Sequence, residues 1–83
     1  MKYVKLLDEN NRILAVGEVE IVALAMDISA EIIDSCVESN AAIVDEDLGA
    51  VRFAYLNNDN VERYLQRYHS VYIAKMMVDH RAA

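Results

Sequence analysis

Between Glu20 and Glu38 the polar and apolar positions repeat with a helical period. Asp27, Glu31, Asp34 and Glu38 are spaced four, three and four apart, and Glu20 falls on the same line. At about 100° per residue these carboxylates stack on one side of an α-helix. The other side carries Ile21, Ala25, Ile28, Ile32 and Cys36, flanked by Val22, Met26, Ile33 and Val37. The pattern predicts one amphipathic helix with a wide apolar face for a core and a narrow acidic stripe. Its start has two solutions. Glu18 to Ile21 also alternates as a strand, which would reach about Val22 and leave the helix to begin near Asp27, with Asp27 as N-cap and Ser29 in the first turn. Ala23, Leu24, Ala25 and Met26 are good helix formers and favour the longer helix, from Glu18.

The rest of the chain divides at its polar clusters. Lys2 to Leu7 reads as a strand. Asp8-Glu9-Asn10-Asn11 has turn chemistry, because Asp and Asn bond their own backbone and tolerate left-handed angles. Arg12 to Val16 completes a hairpin, and Gly17 is expected to break it. Ser39-Asn40 ends the first helix. Ala41 to Val44 is a short strand, Asp45 to Gly49 a turn, and Ala50 to Leu56 a strand with Val51, Phe53 and Tyr55 on one face. Asn57-Asn58-Asp59-Asn60 is the strongest breaker. Asp59 with Glu62 three residues on suggests a capping box for a last helix from Asn60 or Val61 to about Asp79. Its inner stripe is Val61, Leu65, Tyr68, Tyr72 and Met76, flanked by Tyr64, His69 and Ile73. The expected fold is one α+β domain over residues 1–83 in the order ββαββα. It is a two-layer sandwich, an antiparallel four-stranded sheet with two helices on one face.

Composition narrows the classes. A chain of 83 residues is marginal alone, and 55% hydrophobic content points to a dense core or one shared across a homodimer. No apolar run approaches a membrane span of about 18 residues, and the N-terminus shows no signal-peptide pattern, so a cytoplasmic protein is expected. One cysteine supplies no disulfide framework. The net charge of −6 is uneven: residues 8–59 hold twelve acids against Arg12 and Arg52. Such a chain repels nucleic acid, whose affinity is dominated by cationic contacts to phosphate.

Candidate chemistry is sparse. Cys36 lies on an apolar face near a helix C-terminus, where the dipole opposes a thiolate. His69 and His80 are eleven residues apart in one predicted helix, roughly 16 Å at its rise, too far to share a metal. The acids at Asp45, Glu46 and Asp47 put Gly49, Ala50 and Leu56 at the fifth, sixth and twelfth places of a calcium loop, which breaks that pattern. The carboxylates lack a pocket that would tune them for acid–base work. No catalytic site, cofactor or metal is expected. Tyr64, Tyr68 and Tyr72 recur every four residues and are candidates for a dimer interface, with Arg63 and Arg67 beside them. The acidic positions Glu20, Asp27, Glu31, Asp34, Glu38, Asp45, Glu46 and Asp47 are the candidate partner-binding residues. They suit a protein with a basic surface, such as a nucleic-acid-binding protein. The expected function is a non-enzymatic inhibitor or regulator. Phage and mobile-element inhibitors of host defence, anti-CRISPR proteins among them, share this size and charge, and the likeness is one of size and charge alone. The alternative is a homo-oligomeric structural subunit whose acids keep it soluble.

Overall fold

A computed structural model describes the chain from Met1 to Ala82, and its side chains as far as Val78. Two hairpins build the sheet. β1 (Tyr3–Leu7) pairs with β2 (Ile13–Glu18), and β3 (Ile43–Asp45) pairs with β4 (Gly49–Tyr55). β1 and β4 join the hairpins, giving the antiparallel order β2-β1-β4-β3. The turns form as their residue types dictate. The Asp8 carboxylate accepts from the N–H groups of Asn10 and Arg12, at 2.8 and 2.9 Å. Asp45 does the same for Asp47 and Leu48, at 2.9 and 3.0 Å. Gly17 does not end its strand. It pairs with Val4 inside β2, where a Cβ would stand 3.1 Å from Val22 Cγ2.

Both expected long helices are split. The first becomes α1 (Val19–Met26) and α2 (Ala30–Ser39), and the second becomes α3 (Val61–Arg67) and α4 (Val71–Ala82). A 3₁₀ turn, Asn58–Asn60, precedes α3. The observed order is therefore ββααββαα, an α+β fold in which the ββαββα reading merges neighbouring helices. Serine marks both breaks. Ser29 Oγ accepts from Ile32 N–H, and Ser70 Oγ accepts from Ile73 N–H, each at 3.3 Å. The expected Asp59 cap does not form: α3 has Asn60 at its N-cap with no side-chain bond, and Asn57 caps the preceding 3₁₀ turn, accepting from Asp59 N–H at 3.1 Å.

One sheet face carries Val4, Leu6, Ala15, Val51 and Phe53, all buried. Val22, Met26, Ile33, Cys36, Val71 and Ala74 close over it from α1, α2 and α4. The apolar faces are thus rotated from the sequence reading. Ile21 and Ile32 are exposed while their flanking neighbours Val22 and Ile33 are buried. Both pairs are off in the same sense, so on each side of the break the core face lies one residue round from the stripe read as central. The same happens in the last segment, where Leu65, Tyr72 and Met76 face outward.

The two-helix face is also revised. Three helices supply core residues, and α3, with no buried residue of its own, supplies none. It packs on β2 from the other side of the sheet, where Lys5 Nζ lies 5.8 Å from the Tyr64 ring centre. The chain returns to the core side around the β2 edge, and Val16 N–H donates to His69 O at 2.9 Å. The two halves repeat in element order without repeating in space: the first hairpin puts its leading strand at the centre, the second its trailing strand.

Candidate docking surface

The acidic segment is a helix–turn–helix, not a single rod. α1 ends in a left-handed residue, Asp27 (φ 57°), whose N–H bonds Leu24 O, while Ile28 N–H bonds Ala23 O at 3.0 Å. That is a Schellman closure with aspartate in the place glycine usually takes. α2 ends the same way at Asn40 (φ 55°), with Ala41 N–H on Cys36 O. Eight residues, a three-residue turn and ten residues follow one another. α1 and α2 contain no cation.

The candidate acids fall into three groups. Glu31 and Glu38 are exposed on α2, and Glu20 and Asp27 are exposed on α1 and its cap. Asp34 shares the α2 face but is partly neutralised. Lys2 Nζ stands 3.6 Å from its carboxylate, and the Tyr55 hydroxyl donates to it. Lys2 also lies over the Tyr55 ring, 5.3 Å from its centre. The hydrogen bond to Asp34, then burial and the charges of Asp34 and Glu38, push the Tyr55 hydroxyl up to about 12. The third group, Asp45, Glu46 and Asp47, sits apart at the β3–β4 turn. The Asp45 side chain is only 7% exposed and faces Lys75 Nζ of α4 at 3.2 Å, with Asp47 at 3.8 Å. Burial pushes the Asp45 carboxyl up, but the Leu48 and Asp47 N–H groups and the Lys75 ammonium outweigh it and hold the group below 3.8. Asp45 and Asp47 are thus tied to α4, and Glu46 alone of the three is exposed.

The other candidates are dispersed. Tyr64 of α3 stacks on Tyr68, the residue that closes that helix, with ring centres 5.6 Å apart and planes 22° apart, whereas Tyr72 lies on α4 beyond the break. Cys36 is buried in the core. His69 sits in the interhelical break, and the side chains of Asp79 and His80 lie outside those described. Among the described residues, no cluster of three or more His, Cys, Asp and Glu side chains could hold a metal ion. No described helix is long and apolar enough to cross a membrane. The Lys2–Asp34–Tyr55 contact escaped the sequence reading, since its members come from three distant segments. Comparison with protein-family models, curated proteins and solved structures gives no match.

Proposed function

We propose that the α1–turn–α2 unit is a docking element for a basic protein surface, and that the protein acts by binding, without catalysis. The carrying observation is the sign of its charge. From Glu18 to Asn40 the chain holds six carboxylates and no lysine or arginine. A helix–turn–helix that reads DNA lays its second helix in the major groove and needs cations for the phosphates. Here that helix presents Glu31, Asp34 and Glu38. A helix pair of the opposite charge suits a cationic surface, of the kind nucleic-acid-binding proteins turn toward phosphate. Occupying that surface would inhibit or regulate its owner. Complementary charge acts chiefly on association rate and partner choice.

The test is capture of partners from the native host by the full chain, identified by mass spectrometry. Glu31→Gln/Glu38→Gln should keep its fold, because both side chains are exposed. It should lose basic partners at low salt, and the parent should lose them at high salt. Equal capture by parent and variant would refute the docking role of α2.

A second reading is a homo-oligomeric subunit, favoured by one observation. Leu24 is 73% and Met76 59% exposed, and Ile21, Ile32, Tyr72, Ile73 and Met77 are exposed with them. An interface between copies is one way to cover exposed apolar side chains on α1, α2 and α4. Light scattering at micromolar concentration separates a 9.4 kDa monomer from a two-fold dimer.

A further inference from the structure

The most unusual surface after α2 lies on the opposite face of the sheet. α3 contributes nothing to the core, its arginines Arg63 and Arg67 are exposed, and Tyr64 and the C-cap residue Tyr68 are only half-buried. Asn60, Arg63, Tyr64, Arg67 and Tyr68 line an open hollow of about 120 Å³. Arg63 and Arg67 are one helical turn apart and so share a side of the helix. Neither forms a salt bridge among the described residues. A guanidinium is a planar fork that matches phosphate oxygens in pairs. The stacked Tyr64–Tyr68 rings form an aromatic wall beside these forks. Lys5, 5.8 Å from the Tyr64 ring centre, adds a third positive charge to that side. Glu62 is the one acid on α3.

We propose that this hollow binds a mononucleotide, with the phosphate between Arg63 and Arg67 and the base stacked on the tyrosine wall. Two features favour a single nucleotide over a strand. The hollow is small, and a net charge of −6 opposes a polyanion while leaving one locally held phosphate little affected. The site lies away from α2 and stands independently of the docking role.

The experiment is an NMR titration of the ¹⁵N-labelled full chain at low ionic strength with adenosine 5′-monophosphate, adenosine or inorganic phosphate. The monophosphate should give saturable shifts centred on residues 60–68 and Lys5. It should bind about fivefold or more tighter than either part alone, since base–aromatic stacking and phosphate contacts add. Arg63→Gln/Arg67→Gln should abolish this response with the melting midpoint unchanged. Should that variant fail to fold, Arg67→Lys, which keeps the charge and loses the fork, should weaken the monophosphate clearly. Absence of saturable shifts overturns the assignment, and so does an unchanged affinity in the folded arginine variants. Equal affinity for phosphate and the monophosphate would reduce the site to an anion patch. Tighter binding of a short oligothymidylate would replace the nucleotide by a strand.

Discussion

Lys75 ties α4 to the β3–β4 turn, and Lys75→Met isolates that tie while keeping the aliphatic stem. The Nζ–Oδ1 separation of 3.2 Å corresponds to a gross attraction of about 5 kcal/mol at an effective dielectric of about 20. Desolvation of a nearly buried carboxylate and the lost rotamers of lysine offset most of this. Asp45 keeps its two backbone donors in the variant, so it is not stranded. The net loss should be about 1.5 kcal/mol, within the range for hydrogen bonds to charged groups. For a domain of this size that lowers the melting midpoint by roughly 6–12 °C. Asp45→Asn retains an oxygen acceptor for both N–H groups but no charge. A double-mutant cycle between the two should give a coupling of about 1 kcal/mol by urea denaturation. The pH dependence has a fixed sign. The folded Asp45 carboxyl lies below 3.8, so its contribution is full above that value and is lost as the pH falls through the depressed one. The gap between parent and Lys75→Met should close in that acid window. A coupling under about 0.3 kcal/mol would make Lys75 an ordinary surface charge. A gap that persists in acid would show that the loss does not come from the ion pair with Asp45.

Other outcomes test the local geometry. Ser29→Ala should cost about 1 kcal/mol by uncapping α2, whereas Asp59→Ala should stay within about 0.5 kcal/mol because the exposed Asp59 side chain caps no helix, both read from denaturant midpoints. Gly17→Ala should cost about 1 kcal/mol through its 3.1 Å approach to Val22, and adding Val22→Ala should give less than the sum of the two losses. In a spectrophotometric titration one of the five tyrosines should ionise only near 12, and Asp34→Asn should bring it down. The Tyr55 hydroxyl is raised in the fold, so the stability it adds is present below the ordinary value of 10 and is lost as the pH rises through about 12.

The hairpins were legible because their signals are local. Asp8 and Asp45 make the turns that their side chains favour, and Val4, Leu6, Val51 and Phe53 show the period of two. The helix breaks were hidden for a physical reason. Asp27 closes α1 without glycine or proline, and its spacing to Glu31 continues the acidic stripe as if the helix ran on. The available signals were Ser29 and Ser70, polar residues with cap chemistry that the periodicity overrode. Missing the second break cost the phase of the last core face. It also cost the placement of α3, because Tyr64 and Tyr72 can flank the sheet on different sides only if the chain turns between them. The acidic surface survived in part. Glu31 and Glu38 face outward as read, while Asp45 faces a lysine that lies thirty residues on.

The bond from Val16 N–H to His69 O has a consequence for growth. An open sheet edge is a template, and a sheet with two open edges can add copies without limit. Here β2 is occupied at Val16 by the interhelical crossing, and β3, three residues long with Val44 82% exposed, is the outer strand on the other side. A strand added at β2 would have to displace the bond at Val16. Two copies joined through β3 would present β2 at both ends, each bonded at Val16. The crossing between α3 and α4 makes growth through β2 costlier than pairing through β3, and so weighs against fibre growth.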